Sequence, residues 1–282
     1  MESGWGMSGR VVMVTGANAG MGKEIVFALA GMGATVVMVC RDSGRGEAAR
    51  REVQERSGSG DVELLVADLS SQQSIRNLVR EFAASHDRLH VLVNNAGITQ
   101  PRRIETADGL ESVFATNHLG PFLLTTLLLP LLTASAPSRV VTVASGAHTM
   151  GKIDFDDVQA SRRYNEIAVY NQSKLANLLF TYELARRIAG TGVSANAADP
   201  GFVKTNLRVP FPYSIFSFMR GAAVDGARPA VFLASSPEVG GVSGRYFGRK
   251  GEVRSSKASL DEADARRLWT LSAQLTHLDA EG

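Results

Sequence analysis

The chain has 282 residues, of which 44% are hydrophobic and 21% are charged, and its formal net charge is +2. Its length and apolar content suit one large α/β domain with a substantial core. The balanced charge gives no electrostatic case for nucleic-acid binding. The single cysteine, Cys40, excludes an internal disulfide and a zinc site built from cysteines.

The sequence predicts neither a signal peptide nor a membrane-spanning segment. Residues 1–10 lack the apolar core of a signal peptide. The longest apolar stretch, residues 122–132, is too short to span a bilayer and is interrupted by threonine and proline. We therefore expect a soluble cytoplasmic protein without a membrane anchor.

The first structural signal is a strand, a glycine-rich turn and a helix. Residues 11–15 form an apolar, β-branched run typical of a buried strand. Gly16, Gly20 and Gly22 follow, and helical periodicity begins after them. Glycines let the backbone approach a phosphate closely, and a helix N-terminus supplies unpaired N–H groups. The order predicts a dinucleotide phosphate site, although its spacing differs from the common Gly-x-Gly-x-x-Gly pattern.

The second strand, residues 35–40, ends at Arg41 and Asp42. In dinucleotide folds an acidic residue at this point binds the 2′-hydroxyl of NAD, whereas an arginine accommodates the 2′-phosphate of NADP. Arg41 favours NADP(H), and Asp42 keeps NAD(H) open. The alternative is that Arg41 only caps the next helix.

Strands and helices then alternate along the chain. Strands are predicted at 62–67, 89–93, 139–144, 193–198 and 242–247, and helices at 46–56, from Ser70 or Ser71 to 84, at 110–135 and at 260–278. This alternation predicts a parallel sheet with right-handed crossovers, in which ligands bind beyond the carboxyl ends of the strands. Gly16, Arg41, Asp68 and Asn95 all follow such ends.

Tyr170 and Lys174 lie four residues apart at the start of another helical pattern, so they share one face. A nearby ammonium favours the phenolate of a tyrosine, which can then exchange a proton with a substrate oxygen. The alternative is a surface pair. Asn117 is a mediocre helix former inside the 110–135 helix; it indicates either a site role or a hydrogen bond to a neighbouring helix.

Several motifs occur together in a fixed order. They are the glycine turn from Thr15 to Gly22, Asn94-Asn95-Ala96-Gly97, Asn117, Ser145, Tyr170-x-x-x-Lys174 and Pro200-Gly201. Together they resemble the short-chain dehydrogenase/reductase family. Three stretches resemble its retinol dehydrogenase-like branch: Asn117 to Phe122, Gln172 to Asn177 and the tail segment Leu268-Trp269. The resemblance implies a single Rossmann-type doubly wound α/β domain, with a parallel seven-stranded sheet and helices on both faces.

The resemblance also implies roles for individual residues. Tyr170 would be the general acid/base, Ser145 would stabilise the substrate oxygen, Lys174 would assist Tyr170 and hold the nucleotide ribose, and Asn117 would hold a water. The cofactor would be lined by Gly16, Asn18, Ala19, Gly20, Met21, Gly22, Arg41, Asp68, Leu69, Asn95, Ala96, Gly97, Tyr170, Lys174, Pro200, Gly201, Val203 and Thr205. Family members are often oligomeric through the helices that hold Asn117 and Tyr170, so we expect a homodimer or homotetramer.

Some features depart from the family pattern or stay open. Residues 146–169 make a long interval, expected to form a loop beside the substrate mouth. Tyr164 lacks a lysine four residues on, and His148 is a weaker alternative base. The acidic cluster at residues 154–157 is more typical of a solvated turn than of a metal site. Asp199 precedes Pro200, where retinol-type enzymes usually have another residue.

The segment 202–222 is rich in aromatic residues. Because apolar pockets select apolar ligands, we predict a lipophilic carbonyl or alcohol substrate. The alternative is that these side chains pack on the core or on a second subunit. Two other functions remain open: an epimerase or dehydratase on the same scaffold, and a non-catalytic protein that senses NADP(H).

Overall fold

A computed structural model describes residues 5–201 and 223–278. Its sheet has the strand order β3-β2-β1-β4-β5-β6-β7-β8. The strands are β1 Val11–Thr15, β2 Thr35–Cys40, β3 Val62–Val66, β4 Val91–Asn94, β5 Ser138–Val143, β6 Val193–Ala198, β7 Tyr246–Gly248 and β8 Gly251–Glu252. Strands β1 to β7 pair in parallel, and the two-residue β8 is antiparallel to β7. The predicted doubly wound parallel sheet is confirmed, with β8 as a short addition.

Helices cover both faces of this sheet. They are α1 Gly20–Gly31, α2 Ser43–Ser57, α3 Gln72–Ser85, α4 Ser112–Ala134, α5 Glu166–Arg187, α6 Ala223–Ser235 and α7 Glu262–Leu275. Alternate residues of each strand point to opposite faces. In β1, Val12 and Val14 therefore pack with α1, α2 and α6, whereas Met13 packs with α3, α4, α5 and α7.

Side-chain caps place the starts of the helices that follow the strands. Asp42 caps α2 by accepting from the Arg45 amide at 2.8 Å, and Ser71 caps α3 by accepting from the Ser74 amide at 3.4 Å. Such caps satisfy backbone donors that no helix residue can reach. The alternative in which Arg41 only caps α2 is wrong, because the cap is Asp42. That leaves the Arg41 side chain, 69% exposed, free of this structural task.

Helix α4 contains a π-helical turn at Ala115–Leu119, with Asn117 at its centre. Single π-helical turns within α-helices often occur at functional sites. The helix is long and apolar enough to cross a membrane, but 83% of its most apolar window is buried inside the fold. That burial is typical of a core helix.

Candidate active site

A cleft of about 840 Å³ runs along the carboxyl ends of the parallel strands. The predicted residues that line it are Gly16, Asn18, Ala19, Gly20, Met21, Gly22, Arg41, Asp68, Leu69, Asn95, Ala96, Gly97, Ser145, Tyr170, Lys174, Pro200 and Gly201. Asn117 lies behind this lining and is fully buried. Val203 and Thr205, like the aromatic segment 202–222, lie outside the described residues.

The glycine turn shapes one wall of the cleft. Gly16 has a φ of +65°, in the left-handed region that favours glycine. A Cβ atom on Gly22 would collide with the Gly16 carbonyl oxygen, so only glycine allows α1 to start this close to β1. Ala19 gives α1 no side-chain cap. The first amides of α1 thus remain available to an anion, which fits the phosphates of a dinucleotide.

Asn95 holds the glycine turn against the end of β4. Its side-chain nitrogen donates to the Thr15 carbonyl at 2.8 Å and to the Gly16 carbonyl at 3.3 Å. In return, the Thr15 hydroxyl accepts from the amides of Asn95, at 3.0 Å, and Ala96, at 3.1 Å. Asn95 therefore lines the cleft, and its amide group also fixes the backbone of the glycine turn across from it.

Two arginines border the cleft at the end of β2. Arg41 lies 4.0 Å from the Asp68 carboxylate, and Arg45 lies 3.4 Å from the Asp42 carboxylate. Both arginine side chains are 69% exposed. The Arg45 amide and guanidinium hold the pKa of Asp42 below its usual value. The acidic group that would suit a ribose hydroxyl is thus engaged in capping α2, while two guanidinium groups face the cleft.

Tyr170 and Lys174 enter the same cleft from α5. The Lys174 ammonium lies 5.7 Å from the centre of the Tyr170 ring and donates to the Val143 carbonyl at 3.2 Å. Burial lowers the pKa of Lys174 to about 8, and the carboxylate of Asp199 acts in the opposite direction. Gly97 leaves room for this ammonium, which lies 3.6 Å from where a Cβ atom would be.

Ser145 lies two residues beyond the end of β5 and caps the 3₁₀ turn Gly146–Met150. Its hydroxyl oxygen accepts from the Ala147 amide at 3.2 Å, and its side chain lines the cleft beside Tyr170. A hydroxyl has both a donor and acceptor lone pairs. Ser145 can therefore donate to a substrate oxygen while it accepts from the backbone.

Asn117 connects the end of β4 to α5. Its Oδ1 accepts from the Ile98 amide at 2.7 Å, and its Nδ2 donates to the Ile98 carbonyl and to the Ser173 hydroxyl, each at 3.0 Å. Ser173 in turn donates to the Tyr170 carbonyl at 2.7 Å. The side chain thus makes the interhelical hydrogen bond that the sequence left open, and it fixes the turn that carries Tyr170.

Comparison with known families agrees with this geometry. The model of the short chain dehydrogenase family matches residues 10–212. This chain belongs to the short-chain dehydrogenase family. It is 44% identical to human retinol dehydrogenase 14, over 96% of this chain and 88% of that protein, and 40% identical to human retinol dehydrogenase 13, over 96% and 86%. The predicted retinol dehydrogenase-like branch is confirmed, and the chain is a dehydrogenase or reductase that acts on alcohol or carbonyl groups.

Solved structures give the same fold. A crystal structure of an uncharacterized protein from Mycobacterium paratuberculosis matches with a TM-score of 0.81 and 39% identity, over 98% of this chain and 97% of that one. The Pseudomonas aeruginosa protein RhlG, in an active-site complex with NADP, matches with a TM-score of 0.71 and 26% identity, over 88% and 97%. These matches support a nicotinamide nucleotide as the cofactor of this short-chain dehydrogenase.

The alternative residues have other tasks. The His148 ring donates from Nδ1 to the Ser145 carbonyl at 2.7 Å and accepts at Nε2 from the Ser256 amide at 3.1 Å, so neither nitrogen is left to act as a base. The Tyr164 hydroxyl donates to the Gln100 carbonyl at 2.8 Å. Asp157 accepts from Ser161 and Arg162. Within residues 5–201 and 223–278, no group of three metal-ligating side chains comes together.

The cleft of this short-chain dehydrogenase also contains residues that sequence reasoning missed. Asp42 lines it too, as do Gly146, Ala147, Thr149 and Met150 of the segment expected beside the substrate mouth, but the sequence indicates these. The missed residues are Val39, Cys40, Arg45, Ala67, Ile98, Thr99, Thr116, Val143, Ala144 and Asp199. Most extend a predicted strand end by one or two positions, which is the signal that could have found them. Arg45 and Asp199 are the charged residues among them that no motif contains.

Proposed function

We propose that this chain is an NADP(H)-dependent oxidoreductase that interconverts a lipophilic carbonyl compound and its alcohol, with Tyr170 as the proton carrier. The observation that carries the proposal is the placement of Tyr170 and Lys174 in the cleft toward which the uncapped amides of α1 open. The nicotinamide, when bound, supplies or accepts the hydride.

The chain's own residues manage the proton and the developing charge. During reduction Tyr170 donates its proton to the carbonyl oxygen, and during oxidation it removes the proton from the hydroxyl. Ser145 donates a hydrogen bond to the same oxygen and stabilises its negative charge. The Lys174 ammonium favours the phenolate of Tyr170 and binds the ribose hydroxyls. Asn117 keeps α5 in register with the end of β4.

The proton-carrier role is tested with two matched substitutions. Tyr170→Phe should lower kcat by about 10²- to 10⁴-fold, the usual contribution of a general acid or base, and leave NADPH binding nearly unchanged. Tyr164→Phe removes a hydroxyl that binds Gln100 outside the cleft, and it should keep kcat. Steady-state kinetics with NADPH and fluorescence titration of NADPH measure both. Turnover retained by Tyr170→Phe would overturn the role of Tyr170.

The NADP(H) preference rests on Arg41 and Arg45, since their guanidinium groups can pair with a 2′-phosphate. The double variant Arg41→Ala/Arg45→Ala should lower the ratio of kcat/KM for NADPH over NADH by about tenfold or more, because each hydrogen bond to a charged group contributes roughly 1.5–3 kcal/mol. Arg51→Ala, on the exposed part of α2, is the control. An unchanged ratio would contradict the preference.

A lipophilic substrate is supported by the apolar side chains at the mouth and by the relatives' name. Ile98 and Met150 line the cleft, and Met150 is 59% exposed there. Retinol, named in the relatives, is a ring-bearing polyene alcohol. Values of kcat/KM for polyene and long-chain aldehydes, cyclic ketones and small polar ketones test the proposal. Preference for the small polar ketones would exclude it.

The two other functions make different predictions. An epimerase or dehydratase would return its nucleotide unchanged, so net consumption of NADPH with a carbonyl substrate excludes it. A non-catalytic sensor could bind nucleotide without Ser145, Tyr170 and Lys174. All three line the cleft here, which favours catalysis.

A further inference from the structure

Asp199 is a charged cleft residue that no motif of the family resemblance includes. It follows β6, whose last residue Ala198 pairs with Val143 of β5. The Val143 carbonyl is the acceptor for the Lys174 ammonium, at 3.2 Å. The strand pairing therefore places Asp199 at the same edge of the sheet as the buried end of Lys174.

The backbone around Asp199 fixes its carboxylate. Oδ1 accepts from the Gly201 amide at 2.9 Å, and the Asp199 amide donates to the Phe247 carbonyl at 2.7 Å. The other oxygen, Oδ2, lies 3.9 Å from where a Cβ atom of Gly146 would be. One oxygen is thus held by the backbone, and the second faces the turn that begins at Ser145.

Several titratable groups surround this carboxylate. On α5, Lys174 is 4% exposed, and the Asp199 charge raises its pKa against the effect of burial. On the turn after β5, burial lowers the pKa of His148, and Asp199 opposes that shift. On β7, burial and then Asp199 raise the pKa of Tyr246. Arg249 lies beyond Gly201 and donates to the Pro200 carbonyl at 3.1 Å.

A buried ammonium needs a partner to stay charged, because burial disfavours the charged form of any group. The Val143 carbonyl is a neutral acceptor, and Asn117 and Gly97 beside Lys174 carry no charge. Of the carboxylates that line the cleft among the described residues, Asp68 and Asp42 lie beside Arg41 and Arg45, whereas Asp199 follows the strand that pairs with Val143. Its charge acts against the effect of burial on the Lys174 pKa.

We propose that Asp199 is a positioning residue that keeps Lys174 in its charged form, and so extends nucleotide binding and catalysis to higher pH. The proposal rests on the proposed function, in which the charged Lys174 binds the nucleotide ribose. A neutral residue at this position would leave Lys174 neutral over more of the alkaline range.

The test separates Lys174 from the phenol. In a Tyr170→Phe background no phenol can titrate at this position, so the Kd of NADPH, measured by fluorescence at a series of pH values, reports Lys174. We expect affinity to fall as pH rises through the titration of Lys174. Adding Asp199→Asn should move the midpoint of that fall down by about one pH unit, the usual effect of an opposite charge nearby.

Three variants serve as controls in the same background. Asp199→Glu keeps the charge, so its midpoint should lie close to that of Tyr170→Phe alone. Asp199→Ser is a second neutral variant that can still accept from the Gly201 amide, and it should behave like Asp199→Asn. Asp61→Asn removes an exposed carboxylate next to the start of β3, at the opposite edge of the sheet, and should leave the midpoint unchanged.

The outcomes distinguish the two proposals. Tyr170→Phe that binds neither NADPH nor NADH at any pH would overturn the proposed function. Binding with the same midpoint in the parent and in both neutral variants would overturn the role of Asp199, as would an equal shift in Asp61→Asn. With Tyr170 present, Asp199→Asn should also move the alkaline limb of the kcat/KM profile to lower pH.

Discussion

At the scale of single residues, the position of Ser145 depends on His148. The buried His148 ring connects the Ser145 carbonyl to the Ser256 amide through its two nitrogens, and its face contacts the Tyr246 ring edge to face at 5.3 Å. Because Nδ1 donates and Nε2 accepts, the ring is neutral and its tautomer is fixed. His148 is therefore a positioning residue for Ser145, whose hydroxyl binds the substrate oxygen in the proposed function.

His148→Phe should lower the free energy of unfolding by about 1–3 kcal/mol, since it leaves the half-buried Ser256 amide without its acceptor, whereas the Ser145 carbonyl still accepts from the His148 amide. His148→Gln can still accept from Ser256 and should lose less stability than His148→Phe, whereas His148→Asn can still donate to Ser145 but should lose more stability than His148→Gln. Urea denaturation measures the stabilities, and kcat reports displacement of Ser145. Equal stability of His148→Phe and the parent would contradict the interpretation.

At the scale of secondary-structure elements, His118 joins α4 to α7. Its Nε2 lies 2.8 Å from the Ser272 hydroxyl, and its ring packs against Phe114 at 5.0 Å and Phe180 at 6.2 Å. Burial lowers the pKa of His118 to about 3, while its contact with Asn177 acts weakly in the opposite direction. The imidazole is therefore neutral in the folded protein throughout the physiological pH range.

This burial predicts a loss of stability in acid. The unfolded chain takes up a proton on His118 below pH about 6.5, whereas the folded chain does not, so the free energy of unfolding falls as pH drops from there toward 3. At pH 5 the loss from His118 should be about 2 kcal/mol. Between pH 7 and pH 5, His118→Asn should lose about that much less stability than the parent.

Denaturation at several pH values measures the difference in stability between the parent and His118→Asn. Burial also lowers the pKa values of His90 and His148, but both proteins contain these residues, so their effects cancel in the difference. His277→Asn, at an exposed position after α7, is the control and should keep the parent's pH dependence. A His118→Asn variant with the same slope as the parent would exclude His118 as the cause.

Some strands begin and end where the sequence predicts, and others do not. β1, β2 and β6 have the predicted bounds, because a buried β-branched or small-residue run ends at an obvious break. β7 begins at Tyr246 instead of residue 242, since Gly241 and Gly244, with φ of +75° and +71°, hold a turn there. The π-helical turn around Asn117 leaves the apolar periodicity nearly unchanged, so sequence could not reveal it.

The candidate site likewise contains residues whose place the sequence predicts and residues whose place it does not. Gly22 and Lys174 were predicted because a strand end or a four-residue spacing fixes their place. Asp199, Arg45 and the bonds of His148 could not be predicted, because they depend on which side chains meet when distant segments pack. His148 and Ser256 are an example, as their contact joins the end of β5 to the segment before α7.

At the scale of the whole molecule, α7 covers the helix that carries Tyr170. In α5, residues 171–184 are all buried within the single chain. Trp269 of α7 stacks on Phe180 at 5.9 Å and meets Phe122 of α4 edge to face at 5.0 Å, and the Arg187 guanidinium lies 4.3 Å from the Trp269 ring. The resemblance predicts subunit contacts through α4 and α5, but residues 171–184 of α5 are already buried against the rest of the same chain.

We therefore expect the predicted homodimer or homotetramer to associate through surfaces other than residues 171–184 of α5. An interface of standard size buries roughly 800 Å² on each partner, and forming it on α5 would require α7 to detach and expose Trp269. Sedimentation equilibrium at micromolar concentration gives the number of subunits, from the measured mass and the chain mass of 30.1 kDa. Trp269 fluorescence, read in a Trp5→Phe background, should not change with protein concentration. A dimer that forms together with a red shift of that fluorescence would contradict this expectation, because it would show that α7 detaches and a second subunit binds α5.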